Sequence, residues 1–187
     1  MRFGIMAMQM GMLVPPEQPA EQILANITTF DHADLVSKLA AAGFNPIELG
    51  GDLSLFLPQA FSVSTMEKLL ELKARGITYT VHLPLWSVEP STPLRPVRRG
   101  SVEAVTQILR ATRLLDPEVY VLHATGALAA EFYNMHLPEI ARAYLLSQFQ
   151  NGARESLEQI LMETGIPSRR IAIETVEFPF DLTLELA

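Results

Sequence analysis

Along this chain, short continuous apolar runs take turns with longer segments whose apolar residues recur every three or four positions. The first pattern is that of buried strands, the second that of helices packed on one side. RFGIMAM reads as a first strand, and PPEQPAEQ as a loop. Asp31 to Ala42 has helical spacing and meets a stop at Gly43. NPIELGG is a second strand. Ser64 and Glu67 form a capping box for a helix from Ser64 to Arg75, with Gly76 as its stop. TYTVHLP is the third strand, and LWSVEPSTPLRPVRRG a proline-rich loop. Ser101 then caps a helix to about Leu115. VYVLHATG is the fourth strand, and GALAAEFYNM an active-site loop or short helix. Pro138 to Thr164 is a long helical stretch with a candidate break at Gly152, stopped by Gly165 and Pro167. RIAIETVEF is the fifth strand, after which Pro179 and Asp181 open another helix.

Alternating strands and helices imply an α/β fold with a parallel sheet and right-handed crossovers. A doubly wound sheet usually carries a glycine-rich phosphate fingerprint after its first strand. The first turn here, MQMGMLVPP, has no G-x-G-x-x-G. A (β/α)8 barrel spreads its chemistry over many strand ends and needs about 250 residues, roughly 200 at the least. With 187 residues, residues 1–187 are read as a single, partial barrel domain: about the first five βα units, truncated or completed by another chain. Exposed barrel edges would then favour a homo-oligomer.

Composition narrows the chemistry. The chain is 49% hydrophobic with a mean hydropathy of +0.20, as suits a buried parallel sheet. No apolar run reaches the ~18 residues of a membrane span. The N-terminal stretch has one basic residue and no clear cleavage site, so it reads as a strand rather than a signal peptide. Met6, Met8, Met10 and Met12 alternate as strand residues filling a core. There is no cysteine, which excludes disulfides and thiolate zinc sites and is consistent with a cytoplasmic protein. A net charge of −7 and a pI near 5.1 argue against long nucleic acid as a partner. A small phosphorylated or sugar-like substrate fits better.

Three strand ends carry residues that bind metal: His82, His123 and Glu174. Imidazole and carboxylate together suit a divalent metal such as zinc, manganese or iron. Either histidine alone could be a core residue donating to a carbonyl. Glu174 follows I-A-I, where a carboxylate is costly unless it is paired or bound to a cation. Its plain alternative is a salt bridge to an arginine. Glu48 holds the equivalent place on the second strand, as a catalytic carboxylate or as a partner for a basic group. Arg95, Arg98 and Arg99, just before the helix opening at Ser101, would complete a phosphate pocket with the amides near Gly100 and Ser101, unless they are incidental loop charge. Trp86 lies in the same loop as a substrate contact. Glu177 is a supporting residue or an exposed one, and His32 and His136 read as surface or capping residues.

The order V-H-x-P, V-x-H-x-x-G and I-x-I-E on successive strands resembles the xylose isomerase-like superfamily. That group includes endonuclease IV-type enzymes (AP endonuclease family 2) and the sugar isomerases and epimerases. Within it, YTVHLPL, R-x-G-S, D-P-E-V-Y-V-L-H and I-E-T-V-E-F-P-F-D look most like the cobamide-remodelling phosphodiesterases. The resemblance implies that His82, His123 and Glu174 are metal ligands. It implies a two- or three-metal centre activating water for phosphoester hydrolysis, or one metal in an isomerase with Glu174 as acid/base residue. The family takes further ligands from its sixth to eighth strands, which this chain does not include; a non-catalytic fragment is therefore the third reading. DNA repair is disfavoured by the acidic charge.

Overall fold

The computed structural model describes residues 2–6, 17–174 and 178–187. The turn at MQMGMLVPP, together with Met8, Met10, Met12 and Glu177, lies outside the described residues. The chain divides into two compact units, residues 1–82 with 111–119, and residues 83–110 with 120–187.

The first unit holds strands β1 (Ile5–Met6), β2 (Ile47–Gly50) and β3 (Tyr79–His82), paired in parallel in sequence order. Helices α1 (Ala20–Thr28), α2 (His32–Ala41), α3 (Leu53–Phe56) and α4 (Val63–Ala74) belong to it. Strand alternation decides what faces what. Ile47, Leu49, Tyr79 and Val81 are buried, whereas Glu48 and Thr80 between them are half-buried on the other face. The Tyr79 hydroxyl donates to the Leu69 carbonyl at 2.8 Å inside this core, and burial raises its pKa. Register is pinned by Asn45, whose side-chain oxygen accepts from Thr78 N–H at 3.0 Å while its amide donates to the Gly76 carbonyl at 3.0 Å.

The expected helix α2 forms. Asp31 caps it by accepting from Ala33 N–H at 2.8 Å, and Gly43 ends it with φ 94°, a backbone conformation that costs glycine little. Burial opposes ionisation of Asp31, but its bond to Lys68, the Ala33 N–H and the Lys68 charge together lower its pKa. Three features differ from expectation. Helix α1 starts inside the expected loop, directly after Pro19, and none of its residues is buried. The cap of α4 is Ser62, accepting from Thr65 N–H at 3.3 Å, rather than Ser64. His32 is no surface residue. It is fully buried, with ring centroids 5.8 Å from Phe30 and 5.5 Å from Phe61.

The second unit holds β4 (Tyr120–Leu122) and β5 (Ile171–Ile173), again parallel and consecutive. Within each unit, neighbours in the sheet are thus neighbours in sequence, as in a (β/α)8 barrel, and the chain supplies five βα units. Helix α5 (Arg95–Thr112) begins six residues before the expected cap at Ser101. Pro96 fits a first turn, where its missing N–H has no partner to lose, and the Ser101 hydroxyl instead donates to the Val97 carbonyl at 2.9 Å within the helix. The GALAAEFYNM segment is helix α6 (Ala127–Asn134), and α8 (Phe180–Leu184) follows Pro179 as expected. Ala129, Leu146, Phe149 and Phe178 form a core that seats this last segment. Among the described residues no helix is long and apolar enough to cross a membrane.

Helix α7 (Glu139–Thr164) runs unbroken through Gly152. The glycine serves a close approach: a Cβ there would run into the Ser91 carbonyl oxygen, well inside van der Waals contact. Gly152→Ala should therefore destabilise the fold by about 2 kcal/mol, the usual cost of overpacking against backbone. A lower urea midpoint at unchanged slope would register it, and an unchanged midpoint would contradict the contact.

Candidate functional site

Within the second unit, Tyr120 and Leu122 are buried, while Val121 and Ala172, a register pair, lie on the other face of the ladder. His123 and Glu174 come two residues further on, so the period of two turns both to that same face at the C-terminal strand ends. The Glu174 N–H donates to the Leu122 carbonyl at 3.0 Å, extending the ladder to the site. His123 Nε2 lies 3.0 Å from Glu174 Oε2, the imidazole buried and the carboxylate 36% exposed. The pair thus has a fixed base and an open side, as a group that meets a ligand requires.

His82, 7% exposed, ends β3 in the first unit. Its register partner is Gly50, so Glu48 does not share its level as expected. Glu48 stands opposite Thr80, two residues earlier on the same strand face, and accepts from the Thr80 hydroxyl at 2.9 Å. The N–H of Leu83, the next residue, donates to the Val121 carbonyl at 2.8 Å in the second unit.

The arginines are not in a loop. Arg95, Arg98 and Arg99 occupy the first turns of α5, and the amides near Gly100 and Ser101 lie inside the helix rather than at its open end. Arg98 is engaged by Glu155 and by the Thr92 carbonyl, the latter at 3.3 Å. Arg95 and Arg99 are exposed and line a groove of about 810 Å³ with Glu103, Arg110, Gln159 and Glu163. Trp86 is 53% exposed in the loop after β3, and His136 is exposed as expected.

Sequence reasoning passed over Glu89, and read Gly126 only as part of an open turn after His123, where the group that approaches closely is the Glu89 carboxylate. Glu89 Oε1 accepts from Gly126 N–H at 2.9 Å and from the Ser91 hydroxyl at 2.9 Å; Oε2 accepts from Leu128 N–H at 3.0 Å. A helix opening on glycine, with no capping side chain of its own, was the available signal.

The chain matches no protein-family model and no curated protein. Its fold is similar to a D-tagatose 3-epimerase-like protein (TM-score 0.62, 21% identity, covering 100% of this chain and 60% of that one). It is similar also to endonuclease IV from Thermus thermophilus (TM-score 0.57, 15% identity, covering 98% and 57%). A third similar structure is D-psicose 3-epimerase from Clostridium cellulolyticum (TM-score 0.57, 17% identity, covering 100% and 60%). The chain spans about 60% of the length of these structures.

Proposed function

We propose that this chain is the metal-holding portion of a divalent-cation-dependent isomerase or epimerase acting on a sugar or sugar phosphate. The observation that carries this reading is the His123–Glu174 pair, 3.0 Å apart at the C-terminal ends of adjacent parallel strands. The donor set fits a cation of the zinc, manganese or iron kind, since it offers imidazole and carboxylate in a chain without thiols. Two donors that hold one ion at about 2.1 Å each stand about 3 Å apart in an octahedral site and about 3.4 Å apart in a tetrahedral one. His82, at the end of β3, is a further ligand only by the family resemblance of its V-H-x-P motif. The cation would polarise a substrate carbonyl. Glu174, open on one side and held by His123 on the other, then takes a proton from the adjacent carbon and returns it. Glu48 is a second carboxylate on the strand face of His82, and the exposed Trp86 indole offers an apolar surface to a sugar ring. A D-tagatose 3-epimerase-like protein and a D-psicose 3-epimerase are among the similar structures, which supports the reading.

Phosphoester hydrolysis, with a cobamide nucleotide loop as one candidate substrate, is the second reading. The similarity to endonuclease IV and the exposed Arg95 and Arg99 favour it.

Incubation of the chain with manganese or zinc and a ketohexose or its phosphate in deuterium oxide separates them. One solvent deuteron should enter the sugar, and the exchange should fall at least about a hundredfold in Glu174→Gln, as loss of a general base does. Phosphodiester cleavage without exchange would favour the second reading, and neither activity would overturn both.

A further inference from the structure

We propose that Glu89 is a positioning residue that holds His123 in place by capping the helix after β4; this deepens the metal-site reading and rests on it. Gly126, the N-cap of α6, has no side chain with which to satisfy the first amides of its own helix. Glu89 does so from 37 residues away, with both carboxylate oxygens engaged by Gly126 and Leu128 N–H groups at 2.9 and 3.0 Å. Between Gly126 and His123 stand only Ala124 and Thr125, both buried at 1% and 4% exposure, so the segment moves as one piece. Gly126 is required for the contact, because a Cβ there would overlap the Glu89 carboxylate.

A cap can position only if it is itself held. The Glu89 N–H donates to the Ser101 hydroxyl of α5 at 2.8 Å. The next carbonyl, of Pro90, accepts from the Ser156 hydroxyl of α7 at 2.6 Å, and the Ser91 carbonyl lies against Gly152 of the same helix. The Thr92 carbonyl takes a bond from Arg98. Two helices thus fix the Glu89 backbone, and its charge-assisted bonds carry that position to the segment bearing His123. Glutamine in its place keeps the shape but offers one acceptor oxygen, so one of the two amides loses its partner.

The test uses the full chain and cobalt(II). In Glu89→Gln the His123 imidazole cross-peak should move in an NMR spectrum of the metal-free protein, while that of His32 stays. Cobalt affinity should fall about tenfold, the scale at which residues supporting metal ligands act, and the ligand-field spectrum of bound cobalt should change. Asp31→Asn, which weakens the cap of α2 in the other unit, controls for lost stability and should alter neither the His123 signal nor cobalt binding; only the signal of its neighbour His32 should shift. An unmoved His123 signal in Glu89→Gln overturns the inference whatever the affinity. A moved signal in a chain that binds no cobalt even as wild type upholds the positioning role and removes the metal reading.

Discussion

Metal bound by the wild-type chain should fall to background in a Glu174→Ala variant, with affinity reduced about a hundredfold or more. Loss of a residue that merely supports a ligand costs about ten- to a hundredfold in metal affinity, and Glu174 is proposed as a ligand itself. His123→Ala should do the same, because the two side chains form one unit, 3.0 Å apart. Elemental analysis of the three dialysed proteins is the measurement. The competing account is a structural hydrogen bond between a buried imidazole and a half-exposed carboxylate, which predicts a different pattern. Each variant would then lose about 1 kcal/mol of stability and metal content would not follow the substitution. Stoichiometric zinc, manganese or iron retained in both variants would remove the site.

Stability should drop by up to about 3 kcal/mol as the pH falls from 6.5 to 4, and His32 is the cause. Burial lowers its pKa from the ordinary 6.5 to about 4, so the native state keeps the imidazole neutral throughout that window. Unfolding releases it to water, where it takes a proton below about pH 6.5. The unfolded state binds more protons, and stability therefore falls with falling pH until the native imidazole also protonates near pH 4. Above pH 6.5 both states are neutral and the group contributes no pH dependence. Asp31, whose pKa is lowered, acts below its unfolded value of 3.8, so the two effects occupy different windows. Urea unfolding at about pH 7, 5.5 and 4 on wild type and His32→Leu tests this. The variant should be flatter across the window; equal slopes for both proteins would place the proton uptake elsewhere.

His32 also shows where a reading of the chain alone stops. Its place at the first position of α2 next to the capping Asp31 is legible, and such positions are commonly exposed. What buries it is the approach of Phe61, 29 residues away, and no local pattern encodes that. The arginines of α5 fail for the opposite reason. Prolines at 93 and 96 read as a loop, but Pro96 falls in a first helical turn, where a proline is tolerated. The three strand-end residues succeed because strand register is a count of residues. An apolar run followed by a histidine or a glutamate puts that side chain at a strand end wherever the run becomes a strand, and β3, β4 and β5 all formed. Glu48 lies two positions short of its expected level because β2 continues through Leu49 and Gly50.

Local spacing and each residue's own backbone freedom were enough to specify the alternation of strands and helices and the helix stops at Gly43 and Gly76. They also put His82, His123 and Glu174 at strand ends. Only the folded chain brings His123 and Glu174 to 3.0 Å, holds Arg98 against Glu155, buries His32 and sets Glu89 as the cap of a helix 37 residues away. Those contacts join residues far apart in the chain. They follow from the packing of strands and helices against one another, which fixes distances that spacing along the chain leaves open.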